Sequence, residues 1–150
     1  MDKTNLKILR ILQEKARIPN IEVSRMINLA PSAVLERIRK MEKQGIIDGY
    51  EVRLNPEKFG CSQISFLKVF LHAESNHEVV AEKMAKLVEV QEIHFISGDD
   101  CYLIKVRTAG TPELNVFLQE KIKTIEGVCS TRTLPVLATH KETAQIPIDK

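Results

Sequence analysis

The chain has 150 residues, of which 43% are apolar, and a net charge of only +2 at pH 7. This length allows one domain or two small ones, and no apolar run approaches the roughly 18 residues that a membrane span requires. No signal peptide is expected, because the chain begins with a polar helix start. The three cysteines have no CxxC spacing, which favours free thiols in a reducing cytoplasm over a disulfide framework.

The charge is distributed unevenly along the chain. Residues 1–60 contain 12 Lys or Arg and 8 Asp or Glu, whereas residues 61–150 contain 10 and 12, giving net charges of +4 and −2. This asymmetry predicts that only the first part meets phosphates. Because the excess is modest, tight binding is expected to need several copies of the chain, as in dimeric proteins that read paired half-sites.

A leading helix is predicted first, with Asp2 as its cap and an apolar face on its inner side. A second helix follows, which Asn20 is expected to cap, and Asn28 suits the reversal after it because asparagine tolerates the left-handed conformation. Pro31 fits the first position of a third helix, which Gly45 ends. The apolar faces are Leu6, Ile8, Leu9 and Leu12 on the first helix, Ile21, Val23, Met26 and Ile27 on the second, and Val34, Leu35, Ile38 and Met41 on the third.

Residues 46–54 are interpreted as two short strands joined at Asp48-Gly49, a dipeptide favoured in tight hairpins. Three helices and a hairpin make a winged helix-turn-helix, whose second motif helix typically enters the DNA major groove. The exposed face of that helix is either merely solvated, as charge runs usually are, or a DNA-contacting surface, which the surrounding elements favour. Its residues are Ser32, Ala33, Glu36, Arg37, Arg39, Lys40 and Lys43.

After a hinge at residues 55–60, strands and helices alternate. The predicted strands are 64–71, 90–97, 102–107 and 128–139, and the predicted helices are 79–88 and 112–125. The order βαββαβ indicates a ferredoxin-like sandwich, so the whole chain is predicted to be α+β. Its helices can cover one face of the sheet only. A second subunit is therefore expected on the other face, which includes Phe66, Lys68 and Phe70 or their alternates.

Motifs in both halves resemble those of the Lrp/AsnC ("feast/famine") transcription regulators of bacteria and archaea. They are Leu35-Glu36-Arg37-Ile38-Arg39, Gln44-Gly45-Ile46-Ile47-Asp48-Gly49-Tyr50, Leu54-Asn55-Pro56 and Ser97-Gly98-Asp99-Asp100-Cys101-Tyr102-Leu103. The resemblance covers almost the whole chain. It implies a winged helix-turn-helix DNA-binding domain at residues 1–54, with the helix-turn-helix motif at 20–39. It also implies an oligomerisation and effector-binding domain of the RAM type at residues 61–150.

The resemblance implies a cytoplasmic regulator that binds double-stranded DNA as a dimer, or as a tetramer or octamer. The residues expected at base edges are Ser32, Ala33, Glu36, Arg37 and Lys40, and those expected at phosphates are Arg39, Lys43 and Arg53. Ala30 stands where the family usually has a capping serine. The loss of such a cap costs about 1 kcal/mol.

A small effector such as an amino acid is implied between subunits, close to the turn after the second strand of the sandwich. The residues are Gly98, Asp99, Asp100 and Cys101, with Thr133, Leu134, Pro135 and Val136 of the last strand. A Gly-Asp turn offers backbone N–H groups and a carboxylate to the two charged ends of an amino acid, although the same residues also form ordinary hairpin turns. Cys101 replaces an aspartate of the family pattern Gly-Asp-x-Asp-Tyr, and a thiol cannot pair with an ammonium as a carboxylate does. A different ligand, or none, is therefore also compatible with this sequence.

Two further functions stay open. One is an architectural DNA-wrapping protein without an effector, which Cys101 favours, and the other is a small-molecule sensor that acts through a protein partner. An enzyme is not expected, because no nucleophile or acid–base constellation is recognisable. No cofactor is expected either, since HExxH, P-loop, GxSxG and GxGxxG motifs are absent. His94 lies near the turn in sequence, but strand geometry does not gather a metal site there.

Overall fold

The computed structural model describes residues 2–148, which divide into two compact units. The first unit consists of the chain up to Arg53 together with the segment from Glu142 onward, and the second unit is Leu54–Lys141. The sequence-based limits assigned the whole of 61–150 to the second domain. The structure differs for residues 142–148, which pack on the first helix. No helix within residues 2–148 has the length and apolar character that a bilayer span requires.

Three helices form the first unit: α1 (Lys3–Glu14), α2 (Asn20–Ile27) and α3 (Pro31–Lys43). Asp2 caps α1 as predicted, because its Oδ1 accepts a hydrogen bond from the Asn5 N–H at 2.7 Å. The helices share a core of Ile8, Leu9, Val23, Val34, Ile38 and Met41. Helical periodicity thus predicted the centre of this core correctly. The predicted apolar face of α2 also included Ile21 and Met26, which are 50% and 64% exposed.

Two local predictions in this unit are wrong. Pro19 rather than Asn20 precedes the first turn of α2, and no side chain caps that turn. Residues 46–54 contain no strand. A two-residue type I′ hairpin needs positive φ at both central residues, and neither Asp48 nor Gly49 adopts it. An isolated two-stranded hairpin is also marginal in water, so this segment runs irregularly from the end of α3.

The segment 142–148 docks along α1. The Gln13 side-chain amide donates to the Ile146 C=O at 3.2 Å and accepts from the Ile146 N–H at 2.8 Å. The Gln145 amide donates to the Gln13 C=O at 2.9 Å, which satisfies a carbonyl in the last turn of the helix. Ile148 packs against the core of the first unit. The tail therefore completes the first unit rather than the second.

Replacing Gln13 with alanine is expected to destabilise the first unit by about 1–2 kcal/mol, because it removes both side-chain hydrogen bonds to the tail. Urea unfolding followed by a probe in the first unit would measure the change. Lys7→Ala is the matched control, since Lys7 is an exposed residue of the same helix. Equal effects of the two variants would show that the docked tail contributes nothing to stability.

The second unit is a four-stranded antiparallel sheet with the strand order β2-β3-β1-β4. Its strands are β1 (Gln63–Leu71), β2 (Val90–Ile96), β3 (Cys101–Thr108) and β4 (Val128–Pro135). Its helices are α4 (His77–Ala85) and α5 (Thr111–Val116), which continues as a π-helical turn over Phe117–Ile122. The predicted order βαββαβ is confirmed. A 3₁₀ turn at Pro56–Phe59 lies within the predicted hinge.

Several element ends differ from the prediction. β4 stops at Pro135 rather than at residue 139, because its partner β1 begins at Gln63 and the last bond runs from the Val136 N–H to the Ile64 C=O at 3.0 Å. The last helix is not α-helical throughout, since the Lys123 N–H bonds to the Leu118 C=O, five residues back. The wider turn suits the five-residue spacing between Phe117 and Ile122, which are both buried.

The two faces of the sheet have different environments. One face packs against the helices and includes Leu67, Val69, Tyr102, Ile104 and Val106. Because strand residues alternate between faces, the residues between them form the other face, which we call the open face. Strand register places the following open-face residues side by side: Phe66, Lys68, Leu103, Lys105, Arg132 and Leu134. As predicted, Phe66 and Lys68 lie on the face that the helices do not cover.

Candidate DNA interface and effector turn

The turn between α2 and α3 is built on Asn28, which adopts the left-handed conformation with φ 56° and ψ 53°. The N–H groups of Asn28 and Leu29 both bond to the Ser24 C=O, and Leu29 packs against the core of the first unit. α3 then begins at Pro31, where a missing N–H costs nothing. The predicted helix-turn-helix geometry is therefore present, with α3 fixed directly after a short, bonded turn.

α3 presents its polar residues away from the core. Each residue advances an α-helix by about 100°, so positions 32, 36 and 43 lie opposite the buried stripe around Ile38. The exposed residues of this face are Ser32, Glu36, Arg39, Lys40 and Lys43. Ala33 and Arg37 lie at its margin and are partly buried. The structure thus brings together the predicted DNA-facing residues of α3, with Arg37 set apart from the rest.

Arg37 is engaged with the start of α1. Its Nη1 donates to Asp2 Oδ2 at 2.5 Å and to Asn5 Oδ1 at 2.8 Å. The Asn5 N–H and the Arg37 guanidinium together lower the pKa of the Asp2 carboxyl below its ordinary value. The resulting stabilisation is present above that ordinary value and is lost as the pH falls through the lowered pKa. Sequence reasoning missed this contact because it joins residues 35 positions apart.

A side-chain hydrogen bond helps to hold the segment after α3 to that helix. The Tyr50 hydroxyl donates to Glu42 Oε1 at 2.9 Å. Burial, together with the Glu42 hydrogen bond and charge, raises the pKa of Tyr50 to about 12. Arg53, which was predicted to contact phosphate from a wing strand, lies exposed in this segment without strand structure. Its distance from the face of α3 is therefore not set by a hairpin.

The turn between β2 and β3 carries the candidate effector residues. Gly98 has φ 93°, and Asp100 has φ 49°, so both adopt the left-handed region. The Asp99 carboxylate accepts a hydrogen bond from the Lys68 ammonium. This bond and the charge of Lys68, with a smaller contribution from Arg132, lower the pKa of Asp99. An anion at the turn thus faces two cations that lie side by side on the open face.

Cys101 is only 1% exposed. Burial, followed by the negative charge of Asp99, raises the pKa of its thiol. The thiol is thus neutral at physiological pH, and it cannot take the place of the carboxylate that the family pattern has at this position. The charges at the turn come instead from Asp99, Lys68 and Arg132.

The predicted β4 residues lie at a different level of the sheet. Thr133 on β4 pairs with Leu67 on β1, and Leu67 pairs with Ile104 on β3. Cys101, at the turn, is the first residue of β3. Three or more residues at about 3.4 Å each separate Thr133 from the turn by roughly 10 Å along the strands, and Leu134, Pro135 and Val136 follow farther away. One chain therefore does not bring the turn and these four residues together. Sequence reasoning did not connect Lys68 or Arg132 with this turn, because alternation assigns a residue to one face of its strand but does not give the register between strands. Within residues 2–148, no three His, Cys, Asp or Glu side chains are grouped as a metal site would require.

Comparisons with known proteins cover both units. A family model described as "Lrp/AsnC ligand binding domain" matches residues 64–146, and one described as "Winged helix-turn-helix DNA-binding" matches residues 1–48. The HTH-type transcriptional regulator FL11 of Pyrococcus horikoshii is 39% identical over 148 residues, which cover 99% of this chain and 97% of that protein. The chain belongs to the Lrp/AsnC family.

Other Lrp/AsnC proteins agree with this assignment. The leucine-responsive regulatory protein of Escherichia coli is 35% identical over 150 residues, covering 99% of this chain and 92% of its own. A solved transcriptional regulator of Neisseria meningitidis in complex with L-Met has a TM-score of 0.93 at 29% identity, with 98% and 96% of the two chains covered. Escherichia coli AsnC gives a TM-score of 0.89 at 28% identity, covering 98% and 99%.

These comparisons confirm the predicted fold class, a helix-turn-helix domain of the winged type followed by a RAM-type α+β domain. The relatives named above are transcriptional regulators rather than enzymes. The chain is accordingly an Lrp/AsnC-type helix-turn-helix transcriptional regulator.

Proposed function

We propose that this protein regulates transcription in the cytoplasm by binding specific double-stranded DNA sequences as a dimer or a larger assembly, under the control of an amino-acid effector. The observation that carries the proposal is the polar and basic face of α3, which lies opposite its buried stripe and directly after the Asn28 turn. Membership of the Lrp/AsnC family supports DNA as the partner.

In this proposal α3 enters the major groove. Ser32, Ala33, Glu36 and Lys40 face base edges, and Arg39 and Lys43 contact phosphates, with Arg53 contributing from the segment that follows. Because Ala30 provides no side-chain cap, the first N–H groups of α3 suit a further phosphate oxygen. Contacts to phosphate give affinity, whereas contacts to base edges give sequence preference.

Two features support the proposed dimer. The open face carries Phe66 and Leu134 side by side, and Leu134 is 43% exposed, so a sheet covered on one face only has apolar area left to bury. The modest positive charge of the N-terminal part also favours paired reader domains on two half-sites. A second copy seated on the open face meets both requirements.

The effector site is proposed at the turn Gly98–Cys101, completed by β4 residues of a second subunit. Asp99 offers a carboxylate for an ammonium group, and Lys68 and Arg132 offer cations for a carboxylate. An amino acid carries both groups, and the related Neisseria meningitidis regulator was solved with L-Met. Thr133, Leu134, Pro135 and Val136 lie too far along the sheet to line the same site from within one chain. Their proposed contribution is therefore made across the dimer.

The DNA proposal is tested by selecting bound sequences from randomised duplexes and by measuring affinity against salt concentration. We expect a defined recurring sequence and, for Lys43→Gln, a salt slope reduced by about one relative to the unaltered protein. Lys83→Gln is the matched control, because it is the same substitution at an exposed residue of α4 in the second unit. A steep salt slope without sequence preference would support the DNA-wrapping function instead, and no binding at low salt would contradict both.

The effector proposal is tested by thermal unfolding with each of the twenty amino acids at millimolar concentration. A ligand at about 100 times its dissociation constant adds about 2.7 kcal/mol of stability. Asp99→Asn is expected to abolish the shift. Glu82→Gln is the control, because it removes a carboxylate charge from an exposed residue of α4, outside the proposed site. No shift with any amino acid, or equal loss in both variants, would contradict the proposed site.

A further inference from the structure

Arg37 differs from the other cationic residues of α3 in the exposure and the bonding partners of its side chain. Arg39, Lys40 and Lys43 are exposed, whereas the side chain of Arg37 is 36% exposed and bonds to both Asp2 and Asn5. The two acceptors belong to the cap and the first turn of α1. In the free protein, therefore, the guanidinium joins α3 to a second helix.

The acceptor side of this contact is itself fixed. One Asp2 oxygen accepts the Asn5 N–H at 2.7 Å and the other accepts Arg37 Nη1 at 2.5 Å. Because the Asn5 N–H orients the carboxylate without Arg37, the second Asp2 oxygen offers the guanidinium an acceptor in a defined position. Because position 37 is about 60° around the helix from position 34 in the buried stripe, a bond there resists rotation of α3 about its own axis.

We propose that Arg37 is a positioning residue for DNA recognition, which holds α3 in orientation through Asp2 and Asn5 and reads no base itself. The inference rests on the proposed function, since it concerns the helix proposed to read DNA. It departs from the sequence-based expectation that Arg37 faces base edges. A base-reading arginine would first have to release both bonds to α1.

The bonding pattern gives a way to separate the two roles. Both observed bonds come from a single nitrogen, Nη1, so the single ammonium of a lysine can serve the same acceptors. A bidentate contact with guanine uses the planar guanidinium fork, which lysine does not reproduce. Arg37→Lys therefore preserves a positioning role and impairs a reading role, and Arg37→Gln impairs both.

The experiment measures specific affinity, non-specific affinity and base preference for four variants of the full chain. Asp2→Asn keeps a good helix cap while removing the charge, and it is compared with Arg37→Gln, with the double variant and with Arg37→Lys. Loss of an exposed ion pair predicts that Asp2→Asn and Arg37→Gln each lower specific affinity by about two- to fivefold. The double variant should bind no more weakly than Arg37→Gln, because the two residues act as a pair.

Three further results are expected. The preferred bases stay the same in all four variants. Arg37→Lys binds specific DNA with the affinity of the unaltered protein, and the ratio of specific to non-specific affinity falls in Asp2→Asn. A merely structural defect would lower both affinities together and leave that ratio unchanged. Lys40→Gln is the control on the exposed face of α3, and it is expected to change base preference or the salt slope.

A changed base preference in Arg37→Gln would overturn the inference, and so would a gain of affinity in Asp2→Asn through release of the arginine. Parallel loss of specific and non-specific binding in both variants would also overturn it. Absence of any sequence preference in the unaltered protein would overturn the proposed function itself. That failure is visible before any variant is compared.

Discussion

Gly127→Ala is expected to destabilise the second unit by about 2–4 kcal/mol, because a methyl group there meets both backbone strain and close neighbours. Gly127 has φ 100°, a conformation that residues with a side chain rarely adopt. A Cβ at this position would also lie 3.0 Å from Ser75 Oγ and 3.0 Å from Val80 Cγ2. The Gly127 C=O accepts the His72 N–H at 2.9 Å and the Ser75 hydroxyl at 3.1 Å, so the backbone cannot shift without losing both bonds.

The variant Gly98→Ala separates the two causes of the destabilisation expected at Gly127, which are backbone strain and contact with neighbouring side chains. Gly98 also has positive φ, at 93°, but nothing lies within 4 Å of a Cβ built there. Backbone strain alone, about 1–2 kcal/mol, is expected for it. Chemical denaturation of both variants would measure the difference. Equal destabilisation would show that the neighbours of Gly127 yield without cost, and the contact argument would be wrong.

Phe66→Asp is expected to weaken the proposed dimer by about 100-fold or more, because it places a charge at the centre of the open face. Register sets Phe66 between Lys105 on β3 and Leu134 on β4. The new carboxylate would meet the Lys105 ammonium across the strands, so the isolated chain keeps its fold. Light scattering over a dilution series would report the change in molar mass.

Val79→Asp is the matched control for that variant. Val79 is 43% exposed on α4, which packs on the helix-covered side of the sheet. Introducing the same charged side chain there should leave the dissociation constant of the dimer unaltered. A monomeric unaltered protein at micromolar concentration would contradict the dimer, and a dimeric Phe66→Asp variant would place its interface elsewhere.

The elements found from sequence are those governed by periodicity and by single-residue conformation. Val34, Ile38 and Met41 recur at helical spacing on α3 and are all buried. Asn28 has the left-handed conformation that the turn between two predicted helices requires. The order βαββαβ follows from the same local signals. The hairpin predicted at Asp48-Gly49 was wrong because a dipeptide indicates only that a turn is favoured. Whether the flanking segments pair as strands depends on the residues that pack beside them.

Contacts between distant residues were not accessible to this reasoning. Lys68 and Asp99 are 31 positions apart, and Gln13 and Ile146 are 133 positions apart. A pattern within a window of residues cannot identify either pair. The candidate effector turn was therefore located by its Gly-Asp dipeptide, while its cations were not. Arg37 was assigned to the exposed face because helical spacing alone does not reveal an acceptor at the start of α1.

The docked tail has a consequence for how the chain is made. The helices of the first unit leave the ribosome before the second unit, yet their partners Gln145, Ile146 and Ile148 are translated only after the whole of that second unit. Domains generally fold in the order of synthesis, but here the first unit stays incomplete until residues 142–148 have been synthesised. Nascent chains that stop before residue 142 thus carry a helix-turn-helix unit without its last contacts, and that unit reaches full stability only after the second unit has been synthesised.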